Sequence, residues 1–243
     1  MKILGVESAS VTASAALVQD DRILAEYTTN FKKTHSETLL PMISECFRMV
    51  DETPDNVDAI AVSYGPGSFT GLRIGVATAK GLAYAANKPI IPVPTLDALA
   101  YGMYGSPFLL CPIMDARRGE VYTGLYGFEK TAFQVYESAT ACPITEQVEK
   151  AKALSVKLGK PVCFLGDGVP VFREQIKEMF PEAKFAPAHL CFQKASAVAA
   201  LGKKLFDEGK TVSAFEFEPL YLRESQAERE RREAGLSIEP ADV

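Results

Sequence analysis

Histidine is scarce in this chain. Only His35 and His189 occur among 243 residues, and no HExxH motif is present. A metal site built on paired histidines is therefore excluded, and a metalloprotease has no ligand set. No Gly-x-Ser-x-Gly motif occurs either, so a serine hydrolase has no support.

The sequence also gives no indication of disulfide bonds, a membrane span or a secretion signal. The five cysteines are an odd number and form no CxxC pair, which predicts buried free thiols in a reducing cytosol. No apolar run approaches the ~18 residues that a membrane span needs. The opening MKILGVES is too short for a signal-peptide core. We therefore expect a cytoplasmic protein without a membrane partner.

The charge balance limits the role of nucleic acid. The chain has 26 basic and 31 acidic residues, a net charge of −5. Phosphate contacts dominate nucleic-acid affinity, so this surface is poorly suited to be the main clamp on RNA or DNA, although a local basic patch is still compatible with it. The hydrophobic content of 47% is ordinary for a globular protein.

Apolar runs along the chain predict the order strand-strand-strand-helix-strand-helix twice. We expect strands at 3–6, 12–18, 22–28, 58–63 and 90–93 in the first half, and at 108–114, 120–126, 132–137 and 161–165 in the second. The predicted fold class is α/β, with two duplicated lobes of mixed sheets flanked by helices. The predicted boundaries are 1–104 for the N-terminal lobe, 105–222 for the C-terminal lobe and 223–243 for a charged tail, read as a solvated helix or frayed end.

Two helices are predicted in the first half. Thr34 and Glu37 fit a capping box, and Leu39, Ile43 and Phe47 then recur at helical spacing. Pro41 is expected to kink this helix or to delay its start, because proline has no backbone N–H to donate. The second helix is predicted over 70–86.

The segment GPGSFTGLRIG, residues 65–75, raises the question of phosphate binding. It has no lysine at the Walker position and no glycine at the sixth position of the dinucleotide fingerprint. A weaker anion site at the following helix N-terminus stays open. Its glycines also continue a stripe at four-residue spacing, which lets another element approach closely. That element is either part of this chain or a second chain. The stripe is Gly67, Gly71, Gly75, Ala79 and Ala83.

A carboxylate and two hydroxyls follow the first strand, at Glu7, Ser8 and Ser10. They are read either as ligands of a magnesium-bound phosphate or as a local turn. With Gly65 and Gly67 they form a candidate vestigial nucleotide-binding set. The charges of DARRGE, residues 115–120, occupy the analogous place in the second half and either pair across the turn or face a partner.

The stretches ILGVESAS, HSETLLPMI, DAIAVSYGPGSFTGLRIGVATAKGLAYA, MDARRGEVY and EPLYLR, in this order, resemble the TsaB (YeaZ) family over nearly the whole chain. The resemblance implies the actin/sugar-kinase/Hsp70-like fold. It also implies a non-catalytic dimerisation subunit of the complex that forms threonylcarbamoyl-adenosine next to the anticodon in tRNA. Glu7 departs from the family, which usually has Asp there.

The resemblance further implies the partners. They are a TsaD-like catalytic subunit, a TsaE-like ATPase and, for the chain alone, a second copy, with tRNA contacted only through the complex. No catalytic residue, metal or cofactor is expected on this chain, since ATP and metal belong to the partner subunits. The implied partner interface lies on the first-lobe helices at Leu39, Leu40, Ile43, Phe47, Gly71, Leu72, Gly75, Val76, Ala79 and Ala83.

Two other function classes stay open. The alternative is a small-molecule phosphotransferase of the same fold, supported by Glu7, Ser8, Ser10 and the glycine loop. The remote alternative is a glycoprotease-like metalloprotease. The subunit hypothesis also predicts that Gly75→Leu abolishes dimerisation while the fold stays intact.

Overall fold

The computed structural model describes residues 1–31 and 33–223. Its first half consists of β1 (Lys2–Glu7), β2 (Ala13–Gln19), β3 (Arg22–Thr29), α1 (His35–Arg48), β4 (Ala59–Gly65), α2 (Phe69–Ala86), β5 (Ile90–Pro94) and α3 (Thr95–Tyr101). Its second half consists of β6 (Leu109–Asp115), β7 (Glu120–Glu129), β8 (Ala132–Pro143), α4 (Ile144–Leu158), β9 (Val162–Leu165), α5 (Val169–Met179), β10 (Lys184–Phe185), α6 (Ala188–Cys191) and α7 (Ala195–Asp207).

The two halves have the same sheet topology. The first sheet has the order β3-β2-β1-β4-β5 and the second the order β8-β7-β6-β9-β10. In each sheet the first three strands pair antiparallel, and the last two follow in parallel. The predicted fold class, α/β with two duplicated lobes of mixed sheets flanked by helices, is confirmed.

Helices cover both faces of the first sheet, so its central strands are buried on both sides. From Ile3 to Glu7 every residue of β1 is buried. One face packs against α1 and α2 through a core that includes Leu4, Val6, Leu39 and Ile43. Such two-sided burial explains the continuous apolar runs by which the sequence marks β1 and β4.

The other face of the first sheet is covered from the far end of the chain. Helix α7 packs its residues Ala195, Val198 and Ala199 against Ile3 and other residues of the first sheet. A Cβ at Gly202 would lie 2.7 Å from the Cβ of Ala61, so only glycine permits this approach of α7 to β4. The helix that ends the second half thus completes the core of the first.

Helix α3 crosses in the opposite direction: it follows the last strand of the first sheet but packs on the second sheet. Its side chains Leu96, Leu99 and Ala100 belong to the core of the second sheet, together with Leu110 and Tyr126. The lobe boundaries at 104 and 222 are positions in the sequence and stay predictions, because α3 and α7 each pack against the sheet of the other half.

The segment after α7 returns to the first sheet. Val212 forms a bridge with Ile90, and Phe217 is fully buried in the core beneath α1 and α2. The backbone N–H of Leu220 donates to the carbonyl of Tyr64 at 2.7 Å. The predicted solvated tail, apart from Arg223, lies outside the described residues.

Three local predictions need correction. Helix α1 begins at His35 and contains Pro41, so the proline does not delay its start. Thr34 is the N-cap residue, but its side chain makes no capping hydrogen bond. Sequence analysis also missed α3, a helix of seven residues that follows directly on β5. All five cysteines are free and buried, as predicted.

Across residues 1–31 and 33–223, no helix combines the length and the apolar character needed to cross a membrane.

One partly buried hydrogen bond joins α3 to β7, and its removal tests how much this contact contributes to stability. The Tyr126 hydroxyl donates to Asp97 Oδ1 at 3.0 Å. Burial raises the pKa of Asp97, and this hydrogen bond opposes the rise. Tyr126→Phe leaves the carboxylate without its donor, so we expect a loss of about 1–3 kcal/mol of unfolding free energy.

The loss has a defined pH dependence. Without the hydroxyl the folded-state pKa of Asp97 rises further, so the cost is largest at alkaline pH and shrinks on acidification. Urea unfolding at two pH values measures it. Tyr104→Phe, at a ring that is 59% exposed, is the control and is expected to leave stability unchanged. An equal loss at both pH values would contradict the assignment.

Candidate functional site

A cleft of about 1480 Å³ lies where the carboxyl ends of β1, β4, β6 and β9 meet. Ala9 follows β1, Gly67 follows β4, Asp115 ends β6 and Asp167 follows β9, and all four line it. Residues 220–223 close one side. Ligand sites of open α/β sheets lie outside the carboxyl ends of their strands, and this cleft occupies that position.

Glu7 is brought to the cleft but points into the protein. Its carboxylate is fully buried and accepts hydrogen bonds from the Ser63 hydroxyl and from the Ala9 N–H, the latter at 2.7 Å. Burial raises the pKa of Glu7 to about 7, against these hydrogen bonds, and nearby Asp167 raises it further. The carboxylate therefore organises the turn after β1.

The hydroxyls predicted to face a phosphate are engaged as well. Ser8 Oγ donates to the carbonyl of Gly71 at 2.8 Å, and Ser10 Oγ donates to Gln193 Oε1 at 3.0 Å. The Ser68 N–H, at the start of α2, donates to the carbonyl of Ala9 at 2.7 Å. These groups hold the turn after β1 against α2 and the segment before α7.

The two glycines of the candidate nucleotide set serve close backbone contact. A Cβ at Gly67 would overlap the carbonyl oxygen of Ala9, and a Cβ at Gly65 would overlap that of Leu220. The structure thus brings Glu7, Ser8, Ser10, Gly65 and Gly67 to one place. Their nucleotide-binding role stays a prediction; the Ser8 and Ser10 hydroxyls and the Ser68 N–H already have partners inside the protein.

Some buried polar atoms at the cleft have no hydrogen-bond partner among the described residues. They include His35 Nδ1. The other ring nitrogen of His35 lies 2.7 Å from the carbonyl oxygen of Ser10, so the ring is anchored to the turn after β1. Burial raises the pKa of Asp167 to about 6.

The DARRGE turn between β6 and β7 stands at the mouth of the cleft. Arg117 and Arg118 have left-handed backbone with φ of 66° and 58°. Arg117 lies 3.6 Å from Asp115, and Arg223 lies 2.6 Å from Glu120. Some of the motif's charges therefore pair at the turn.

The predicted partner interface is largely inside the protein. Nine of its ten residues are buried: Leu39, Ile43, Phe47, Gly71, Leu72, Gly75, Val76, Ala79 and Ala83. Leu40 alone is exposed, at 54%. The nine belong to the surface that α1 and α2 turn toward the first sheet and the turn after β1, so their assignment to a partner is corrected.

The glycine stripe accordingly has an internal purpose. Cβ atoms at Gly71 and Gly75 would overlap the Ser8 carbonyl oxygen and hydroxyl. The sequence left two possibilities, that the stripe packs against another part of this chain or against a second chain. The geometry supports the first. A leucine at Gly75 would collide with Ser8, so the expectation that Gly75→Leu leaves the fold intact is wrong.

A different side of the same helices faces solvent. This outer face consists of Leu40, Pro41 and Ser44 on α1 and Ala77, Gly81 and Tyr84 on α2, all of them exposed. Apart from the neighbouring backbone of α2 itself, no heavy atom of the described residues lies within 4 Å of the place where a Cβ of Gly81 would be. Sequence reasoning missed this second set of small residues. The sequence could have distinguished the two sets. The large apolar residues Leu72 and Val76 lie next to Gly71 and Gly75 and mark that side of α2 as the one that faces the core.

In the part of the chain that the structure describes, no three His, Cys, Asp or Glu side chains converge as metal ligands.

Comparison with known proteins yields consistent matches. The family described as "TsaD: tRNA N6-adenosine threonylcarbamoyltransferase" matches residues 22–231. The TsaB tRNA threonylcarbamoyladenosine biosynthesis protein of Bacillus subtilis is 33% identical, over 94% of this chain and 96% of its own length. That of Escherichia coli is 32% identical, over 93% and 96% respectively.

Two solved structures are similar throughout. YeaZ from Pseudomonas aeruginosa superposes with a TM-score of 0.73 at 26% identity, covering 91% of this chain and 99% of its own. A second Pseudomonas aeruginosa structure, of an uncharacterized protein with similarity to peptidase YEAZ, has a TM-score of 0.74 at 25% identity and the same coverage.

Buried Glu7 gives the pH dependence of stability a defined sign. The folded-state pKa of about 7 stands above the ordinary 4.5, so the unfolded chain loses this proton first as the pH rises. One pKa unit corresponds to about 1.4 kcal/mol. We expect stability to fall by up to about 3 kcal/mol between these two pH values, and to level off above them.

Glu7→Gln should remove the part of this fall that Glu7 causes. The amide oxygen can still accept from the Ala9 N–H, and the NH₂ group can donate to the Ser63 hydroxyl. Chemical denaturation from pH 4 to 8 measures the effect, with exposed Glu37→Gln as the control. Asp167, whose pKa is raised from 3.8 to about 6, leaves a residual slope of comparable size in the variant. A Glu7→Gln profile as steep as that of the unmodified protein would count against the assignment.

Proposed function

Because the chain belongs to the TsaB family of tRNA threonylcarbamoyladenosine biosynthesis proteins, we propose that it is the non-catalytic dimerisation subunit of the complex that forms threonylcarbamoyl-adenosine next to the anticodon. It supports a TsaD-like catalytic subunit and a TsaE-like ATPase in the cytoplasm. ATP and metal bind to those partners, and alone the chain forms a homodimer.

The observation that carries this proposal is the outer face of α1 and α2. Leu40 is 54% exposed and Tyr84 68% exposed, beside the small residues Ala77 and Gly81. Large apolar side chains next to small ones let a second helix approach closely and bury them. Phe215, 78% exposed, packs edge-on against Tyr84 at 5.5 Å between ring centroids and extends the apolar surface.

Support for a non-catalytic role comes from what the polar groups of the cleft already do. Glu7, Ser8 and Ser10 hold the turn after β1 in place, and His35 is anchored to the same turn. The description of the matching family names a transferase, whereas the relatives that cover nearly the whole chain are named TsaB. We therefore assign the transfer step to the TsaD-like partner.

A small-molecule phosphotransferase is the second candidate. The position of the cleft at the carboxyl ends of the strands favours it, and the Ser68 N–H at the start of α2, which already donates to Ala9, weighs against it. One measurement distinguishes the two functions: turnover of magnesium-ATP by the isolated chain would establish the phosphotransferase.

The assembly test uses two glycines of the same helix. At Gly81 a leucine has room in the isolated chain but obstructs a closely packed partner helix, and overpacking of this kind costs about 1–3 kcal/mol. We expect Gly81→Leu to remain folded by circular dichroism and to associate roughly ten- to hundredfold more weakly in sedimentation. Gly75→Leu should instead lose stability, because its side chain meets Ser8.

Gly81→Ala is the matched control, since alanine fits a close helix contact and favours the helix. It is expected to assemble normally, alone and with the TsaD-like subunit. Unchanged association of Gly81→Leu would remove the outer face from the interface. Full tRNA modification by the remaining subunits without this chain would overturn the proposed function itself.

A further inference from the structure

We propose that the DARRGE turn, through Arg118 and Arg117 and with Lys33 on another wall of the cleft, binds phosphates of the unpaired loop of the RNA substrate. The inference rests on the proposed function, because it assigns to this chain a contact with the RNA that the complex modifies. Four observations carry it, concerning the backbone, the charges, the loop at α2 and the aromatic rim.

The backbone of the turn is an unexpected place for arginine. Arg117, Arg118 and Gly119 are consecutive and all left-handed, with φ of 66°, 58° and 77°. Glycine, asparagine and aspartate adopt this conformation most readily. In the described ranges the other non-glycine residues of positive φ are Asp20, Asp51, Asn87 and Lys130, so no other two are adjacent. Two arginines held in a strained turn are typical of a functional site.

The charges of the turn are only partly neutralised. The cleft is lined by the basic residues Lys33, Arg117, Arg118 and Arg223 and by the acidic residues Asp115 and Asp167. Arg223 pairs with Glu120, and Arg117 is 3.6 Å from Asp115. Arg118 and Lys33 have no ion pair within the described residues. The lining thus carries two more basic than acidic side chains, in a protein whose net charge is −5, and such a local excess attracts phosphate.

The interior of the cleft disfavours a small polyphosphate as the ligand. Such groups are held by successive backbone N–H donors. Here the Ser68 N–H already donates to Ala9, and the backbone of Ala9 packs directly on Gly67. The basic groups stand on the turn between β6 and β7 and on the segment before α1. Contacts from side chains to individual phosphates fit this arrangement better.

The rim adds surfaces on which bases can stack. Phe31 is 72% exposed and Tyr221 37% exposed, and both line the cleft with the basic residues. A basic groove with aromatic side chains is the usual arrangement for single-stranded nucleic acid. The cleft of about 1480 Å³ also exceeds the roughly 300–1,000 Å³ of small-ligand pockets. The chemistry is that of an RNA loop with its bases turned outward.

The test compares two glycine substitutions in the second sheet. Arg118→Gly removes the charge and relieves the left-handed backbone. Lys130→Gly does the same in the turn at the other end of β7, where Lys130 has φ of 58°. Binding of a labelled anticodon stem-loop RNA is measured by fluorescence anisotropy over a series of salt concentrations. The full chain is used alone and together with the catalytic partner.

Losing one phosphate contact should weaken RNA binding by Arg118→Gly roughly fivefold at 0.1 M salt. It should also reduce the slope of log affinity against log salt by about one. The melting temperature should stay equal or rise, because glycine accepts this backbone conformation. Lys130→Gly should change neither affinity nor slope. A variant that folds at least as well but binds RNA less well identifies a binding residue.

Unchanged RNA affinity in Arg118→Gly and in the Arg117→Gly/Arg118→Gly double variant would overturn the inference. So would displacement of the RNA by magnesium-ATP at concentrations that saturate the cleft, which would identify a small phosphate ligand. Sedimentation of Arg118→Gly with the TsaD-like subunit separates this inference from the proposed function. For Arg118→Gly we expect normal assembly together with weakened RNA binding. Loss of assembly in Gly81→Leu would bear on the outer face alone.

Discussion

The contact between the turn after β1 and the first turns of α2 is the constraint on which the rest of this structure depends. Ser8 and Ala9 sit directly on Gly67, Gly71 and Gly75, where any side chain would collide with them. Hydrogen bonds from Ser8 to Gly71 and from Ser68 to Ala9 fix the contact in both directions. It locks α2 to the first sheet and shapes one wall of the cleft.

This contact also determines which side of α2 remains available. With Gly71, Gly75 and Ala79 directed inward, Ala77 and Gly81 are directed outward, beside Leu40 of α1. The helix thus carries small residues on two sides for two purposes. The inner set allows the chain to pack on itself, and the outer set is the surface that we assign to a partner. One side could not serve both purposes, because the inner glycines have no remaining access to another molecule.

Most of the fold was predictable from the sequence, and the limits of prediction have specific causes. Strands such as β1 and β4 are buried on both faces, so their apolar runs are unambiguous, and the repeated order of elements indicated the duplication. Helix α3 was missed because its seven residues follow directly on β5. The interface residues were misplaced because a stripe of small residues indicates close packing without indicating what packs there. The cleft depends on contacts between residues far apart in sequence, such as Ser10 with Gln193, which no local pattern contains.

The exchange of helices between the sheets has a consequence for synthesis of the chain. The face of the first sheet that includes Ile3, Ala61 and Val93 is covered by α7, which begins only at Ala195. During translation the first five strands leave the ribosome long before that helix, so this apolar face stays open until most of the second half has been made. The N-terminal half therefore cannot complete its core as an independent unit, and premature termination before α7 would leave a fragment prone to aggregation.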